Sequence, residues 1–399
     1  MEAFSRRNYL VGPFLCGAAS WVLANGTVSL IPLYAMERGA STSGSGLVLS
    51  FAYLCLTLGT ATGALLPRGF SHRRLLVTGY GVLAALVSFL ASRTTSLAGF
   101  AAAIGGTWFL AGAAATQATI LTGMAAPAGQ RGRALGTVGM TGGLGSIIGG
   151  LGAGWLAQRF GFAAVFQGMT AVSVIMIAGG PLAVEVRGRA DTTDMATIAG
   201  TPGPRRAAVL GAGFLLLLAA NFLVSLTNAA AVLGRSLRMN EMGFPKLTIN
   251  VTQSMSGVVS LALPLLLGWL SDRVGRRWIL AGSYLMVSAG LLVLASAHAF
   301  WQFGIYAGMI ASLSVSLGIG PAFVLDVVSR ENAARSVSLF QSVFWGGNIA
   351  GTAVLGLFFQ RMGTVTPVLA AAVLPAMSIA LLLLIRPRDP GRVRRTASG

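Results

Sequence analysis

Apolar stretches of about 20 residues recur twelve times along the chain, and that recurrence limits what it can become more than any other feature. Wound as a helix, a stretch of that length crosses roughly 30 Å of hydrocarbon. We place the spans at 8–34, 45–66, 74–92, 98–123, 134–158, 162–184, 207–233, 246–270, 278–297, 301–327, 336–360 and 366–385. Composition points the same way. Soluble domains carry about a quarter charged residues, whereas this chain carries 10%, with 55% hydrophobic residues and a mean hydropathy of +0.77. No soluble core could cover so much apolar surface. The expected class is an all-α membrane protein with twelve transmembrane helices. Its 54 glycines suit close helix-helix packing in lipid.

A formal net charge of +18 is compatible with nucleic acid or with an oriented membrane protein, and the distribution decides between them. With both termini on one side, that side holds Arg6, Arg7, Arg68, Arg73, Arg74, Arg131, Arg133, Arg187, Arg189, Arg205, Arg206, Arg273, Arg276, Arg277, Arg330, Arg335 and the five arginines from Arg386 to Arg395. The other side holds Arg38, Arg93, Arg159, Arg235, Arg238, Lys246 and Arg361. This three-to-one bias obeys the positive-inside rule. It predicts a multi-pass protein of a bacterial inner membrane with both termini cytoplasmic, surrounded by lipid and without a nucleic-acid partner. Cys16 and Cys55 both fall in apolar spans, so neither a disulfide framework nor a metal or other cofactor is expected. Arg6 and Arg7 precede an apolar run too long for a signal peptide, which reads as an uncleaved first helix.

The chain also repeats itself at an offset of 202 to 205 residues. Gly63-Ala64-Leu65-Leu66-Pro67-Arg68 aligns with Gly268-Trp269-Leu270-Ser271-Asp272-Arg273. Arg73-Arg74 aligns with Arg276-Arg277, and Arg133, Gly145 and Gly149 align with Arg335, Gly347 and Gly351. Six spans therefore pair with six in the same orientation, as in a parallel repeat about an axis along the membrane normal. The predicted organisation is a six-helix bundle at 1–184, a polar Pro/Gly-containing linker at 185–206, and a second bundle with a basic tail at 207–399.

The run from Gly268 to Arg277 resembles the G-x-L-(S/A)-D-R-x-G-R-(R/K) signature of the major facilitator superfamily, placed between helices 8 and 9 as in that family. The resemblance implies two six-helix bundles related by a pseudo-two-fold axis. It also implies a cytoplasmic latch formed by Gly268, Asp272, Arg273, Gly275, Arg276 and Arg277, with Arg68 from the first copy, that holds the outward-open state. The first copy departs from the signature, with Pro67 in place of the acid. Proton-coupled exporters of the family carry an Arg four residues before a helix 4 Gly, where this chain has Trp108 before Gly112. Their helix 5 G-P-x-x-G-G pattern becomes Gly145-Ser146-Ile147-Ile148-Gly149-Gly150. Both departures weaken an antiport reading.

None of the ten acidic residues falls at mid-membrane; Asp326, one turn inside helix 10, is nearest and is the single candidate for coupling to protons. Neutral polar residues are more numerous there. Asn221, Ser225 and Asn228 share a face of helix 7; Gln341, Trp345 and Asn348 share a face of helix 11. Asn25 in helix 1, Trp108, Thr116 and Gln117 in helix 4, and Gln253 in helix 8 complete the candidate cavity. Amides facing lipid are costly, so these face either other helices or a polar cavity. Both readings stand at this stage. No Arg or Lys lies among them, which argues against an anionic substrate.

With no P-loop and no nucleophile-base pairing, enzymatic chemistry is not expected. The leading expectation is a monomeric transporter of a neutral or amphiphilic small molecule working by alternating access, with efflux favoured. Uptake of a sugar-like solute is the alternative, and a non-transporting receptor or scaffold is the alternative from another class.

Overall fold

The computed structural model describes residues 9–65, 69–127, 130–184, 211–328 and 332–385. The predicted linker, the basic tail and Arg68 lie outside them.

Lipid offers no hydrogen bonds, so each apolar stretch satisfies its backbone internally as a helix. Among the described residues, ten helices are long and apolar enough to cross a membrane: Thr42–Leu65, Phe70–Ala91, Leu97–Ala125, Arg133–Phe160, Phe162–Gly179, Ala212–Glu241, Arg276–Ser296, Phe300–Val327, Arg335–Met362 and Val365–Leu384. They form spans 2 to 7 and 9 to 12. Span 1 is the bent pair Val11–Thr27 and Ile31–Glu37, which meet at 48°. Span 8 is Lys246–Val274, whose 29 residues reach roughly 44 Å at 1.5 Å per residue.

Three details differ from the sequence reading. The first apolar run, expected as one helix over 8–34, breaks before Pro32. Proline fits the first turn of a helix, where its missing N–H is not needed, and Pro32 duly sits at the start of Ile31–Glu37. Span 7, expected to end at 233, continues to Glu241. That extension draws Arg235 out of the expected loop and into the helix. Arg73, expected in a loop, lies buried in the first turn of span 3.

Packing follows the repeat. Span 1 packs on spans 4, 5 and 6, while span 7 packs on spans 11 and 12; span 3 lies on span 6 as span 9 lies on span 12. The bundles meet along two seams, span 2 on span 11 and span 5 on span 8. Each seam is the symmetry counterpart of the other. Leu83, Leu86, Leu285 and Leu292 remain exposed on spans 3 and 9, which suits a lipid-facing perimeter.

The repeat extends to individual hydrogen bonds. Arg74 donates to Gly180 O at 3.0 Å and Pro181 O at 2.5 Å, at the end of span 6. Its counterpart Arg277 donates to Leu383 O at 2.9 Å and Ile385 O at 3.1 Å, at the end of span 12. Carbonyls at a helix C-terminus lack intrahelical donors, and each half meets the need with the same arginine.

Candidate functional site

Successive spans alternate in direction, so the loops after the odd-numbered spans share one face and the arginine-rich loops share the other. Near the first face the two halves are tied together. Lys246 Nζ of span 8 lies 2.5 Å from Glu37 Oε1 of span 1 and 4.4 Å from the centre of the Phe162 ring. Its N–H donates to Gln158 Oε1 at 3.1 Å. Along the other seam, Ser43 N–H donates to Gln360 Oε1 at 3.1 Å and Ser50 Oγ to Ile349 O at 2.7 Å. Gly46 and Gly356 let spans 2 and 11 touch backbone to backbone: a Cβ at Gly46 would sit 2.6 Å from Thr352 O.

The arginine-rich face is different. Arg276 pairs with Asp326 at 2.7 Å and with Ala322 O at 2.9 Å, all within the second half. Arg73 donates to Gln117 Oε1 at 2.8 Å, and Gln117 Nε2 donates to Gly63 O at 2.7 Å, all within the first. Arg74 and Arg277 also stay within their own halves. Among the described residues, the halves are joined near the first face by Lys246–Glu37, Ser43–Gln360 and Ser50–Ile349.

Between these faces lies the break in span 1. Leu30 N–H bonds Thr27 O at 2.9 Å rather than Gly26 O one turn back. Gly26 O instead accepts from Asn250 Nδ2 of the opposite half at 3.0 Å. Broken helices survive in membranes only where another group meets the freed backbone, and here that group crosses the seam. Ser29, inside the break, accepts a short hydrogen bond from Arg235 Nη2, which also donates to Gln253 Oε1 at 2.8 Å. Arg235 is 2% exposed. The expectation that no cation stands among the cavity candidates is therefore corrected. Arg235 was assigned to the far loop only because the apolar run ends at 233, whereas the helix does not.

The other candidates divide into three groups. Asn25, Asn228, Gln253 and Trp345 are half-buried. Asn25 Nδ2 donates to Gly142 O at 3.1 Å, and Asn228 Nδ2 donates to Asn348 Oδ1 at 2.7 Å. Fully buried are Trp108, whose Nε1 donates to Thr27 Oγ1 at 3.2 Å, and Asn221, which donates to Phe340 O at 2.7 Å. Ser225 and Asn348 turn back to Phe222 O and Phe344 O in their own helices, at 2.7 and 2.9 Å. Thr116, half-buried, likewise donates to Gly112 O at 3.0 Å, and Gln341 is exposed. Tyr53, absent from the sequence candidates, joins an aromatic tier, edge-on to Trp108 at 5.2 Å and 6.2 Å from Trp345. An aromatic in an apolar span gives no sign of that role.

Of the latch residues, Gly275 takes a positive φ of +98°, a conformation that glycine adopts without strain, and so turns span 8 into span 9. Arg273 is exposed; the surroundings of Gly268 and the side chain of Asp272 lie outside the described residues. Asp326 is held by Arg276 and is part-exposed.

The fold has counterparts among known proteins. The family model of the Major Facilitator Superfamily matches residues 9–194 and 210–399. The class C tetracycline resistance protein of Escherichia coli is 33% identical over 117 residues, 29% of this chain and 29% of its own. The inner membrane transport protein YajR of Escherichia coli strain K12 is 26% identical over 201 residues, 50% of this chain and 42% of its own. These alignments span less than half the length of either relative. Among solved structures, a bacterial homologue of the human lysosomal transporter Spinster, in an inward-facing unoccupied conformation, superposes with a TM-score of 0.72. It shares 15% identity, with 97% of this chain and 99% of that chain covered.

Proposed function

The chain belongs to the Major Facilitator Superfamily, and from that premise we propose that it moves a small amphiphilic molecule across a bacterial inner membrane by alternating access, in the direction of efflux. One observation carries the reading: the halves are tied to each other at one end, by Lys246 to Glu37, Ser43 to Gln360 and Ser50 to Ile349. At the other end, Arg74, Arg276 and Arg277 bond within their own halves. A two-half molecule tied at one end fits one limb of a rocking cycle. With the arginine-rich face cytoplasmic, as the charge bias has it, this limb faces inward.

Within the cycle, the half-buried Asn25, Asn228, Gln253 and Trp345 contact substrate, while the Gly268–Arg277 latch with Asp272 at its centre holds the opposite limb. Efflux is favoured by the tetracycline-resistance relatives, whose similarity is partial. The test is flux: the purified protein in liposomes, loaded with a panel of amphiphilic compounds, with and without a pH gradient. Saturable, protein-dependent flux of one class supports transport. Absence of flux for every class, from a protein shown to be folded and correctly inserted, would remove it.

A further inference from the structure

The burial of Arg235 is not accounted for by its surroundings. Among the described residues two ion pairs occur, Lys246 with Glu37 and Arg276 with Asp326, and neither involves it. Its Nη2 is shared between two neutral acceptors, Ser29 Oγ and Gln253 Oε1, and its Nε, also buried, meets no acceptor. Glu241, one and a half turns along the same helix, is engaged by Thr364, whose hydroxyl donates to it at 2.6 Å. A guanidinium taken out of water is normally matched by a carboxylate or phosphate that accepts its fork of N–H donors. This one has neutral partners and a donor to spare.

Its position explains more. Arg235 and Gln253 belong to the second half and Ser29 to the break in the first, so the cation lies on the dividing surface between the halves. The hydroxyl groups of Tyr53 and Tyr306 stand within its electrostatic reach. Tyr306 donates its proton to Ala231 O at 2.8 Å, which leaves its oxygen lone pairs to the site. Tyr53 connects the cation to an aromatic tier drawn from both halves, with Trp108 at 5.2 Å and Trp345 at 6.2 Å. Trp345 in turn lies edge-on to Phe344 at 5.6 Å. A positive fork at one end and a cluster of rings at the other match one kind of ligand.

We propose that Arg235 docks the negative group of the transported molecule, an organic anion whose carboxylate or equivalent sits against Arg235 and Gln253 while a ring-bearing apolar body lies along Tyr53 and Trp345. The inference rests on the alternating-access reading, because Arg235 is covered while the halves are tied at the first face and is reached when they part there, in the limb from which an exported molecule leaves. Ser29 is the stand-in: its hydroxyl occupies a donor in the closed limb that the anion takes in the open one. The amphiphilic substrate is thereby narrowed to an acidic one, contrary to the expectation drawn from the sequence.

The experiment compares matched pairs that differ only in charge: 1-naphthoate with 1-naphthamide, indole-3-acetate with its amide, and decanoate with decanamide. Binding to the full-length protein is read by tryptophan fluorescence and by the shift in unfolding temperature; flux is read in liposomes. The wild type should bind the ring-bearing carboxylates at least about tenfold more tightly than their amides, the ratio expected of a charge-assisted fork. Arg235→Gln should erase that preference, and Arg235→Lys should keep a weakened one, because the charge remains and the fork is lost. Equal affinity within every pair, no binding of any carboxylate, or a preference that survives in Arg235→Gln would each overturn the proposal. The wild-type comparison requires no variant to fold. Carboxylate binding without flux would sink the transport reading and leave this one standing; flux with no preference for charge would do the reverse.

Discussion

Lys246 of span 8 bonds Glu37 of span 1 at 2.5 Å across the two halves, and its ammonium lies over the Phe162 ring at 4.4 Å. The side chains are 30% and 48% exposed, so water screens the pair. An exposed ion pair contributes about 0–1 kcal/mol and an exposed cation–π contact about 0.5–1 kcal/mol. Lys246→Ala is therefore expected to raise the population open at that face by about fivefold. The measurement is labelling of Cys introduced for Ser43 in a background lacking Cys16 and Cys55, using a membrane-impermeant maleimide. Unchanged labelling would remove the pair from the seal.

Span 2 meets span 11 at Gly46 with no room for a side chain, since a Cβ there would lie 2.6 Å from Thr352 O and 2.9 Å from Gly356 Cα. Gly46→Val should push the seam apart at a cost of about 1–3 kcal/mol to the closed limb. The distance between spin labels on the two halves near that face should lengthen, and flux should fall. A distance distribution identical to wild type would show that the seam tolerates the added volume.

Asp326 divides the coupling reading from the pairing one. Held by Arg276 at 2.7 Å, it is expected to act as a strut between spans 9 and 10. Asp326→Asn should lower thermal stability by about 1 kcal/mol, and exchanging the two residues, Asp326→Arg with Arg276→Asp, should restore most of it. A proton carrier would respond differently: Asp326→Asn would abolish gradient-driven flux while sparing exchange, and the swap would not rescue it.

Gln117 links Arg73 at 2.8 Å to Gly63 O at 2.7 Å, joining spans 2, 3 and 4 from a fully buried position. Gln117→Leu takes an acceptor from the guanidinium and a donor from the carbonyl. A loss of about 1–3 kcal/mol per group left unsatisfied should lower the unfolding temperature of the purified protein measurably. If stability is unaltered and only flux changes, Gln117 contacts substrate rather than framework.

For the latch that the family resemblance implies, Asp272→Asn should reduce the outward-open population by about fivefold, the effect of a charge pair worth about 1 kcal/mol. The same Cys labelling assay reads it, with the sign opposite to that of Lys246→Ala.

Much of the architecture was legible because membranes impose long-range regularity. Hydropathy placed the spans, and the Arg73-Arg74 and Arg276-Arg277 doublets located the repeat that Arg74 and Arg277 display in their matching bonds to Gly180 and Leu383. The site was harder to read. Helix ends in membranes are set by where polar side chains find partners, and Arg235 finds Ser29 and Gln253, residues distant in sequence. An apolar count that stops at 233 cannot see that far. Pro32 did mark the break in span 1, but a proline near the end of an apolar run reads as a kink as readily as a break. Amides gave a similar ambiguity: Asn221 and Asn228 occupy one helical face, yet the first is spent on Phe340 O and only the second remains half-buried.

The carbonyl of Gly26 sets an order of events. Its partner within the helix is lost at the break, and Asn250 supplies the replacement from the other half. Parting the halves therefore strips a peptide oxygen of its donor deep in the protein, which is tolerable only once water or a ligand group has arrived to take over. Dry opening is penalised and wetted opening is not. If the halves part as proposed, hydration of the broken turn would have to accompany the loss of the Gly26–Asn250 bond.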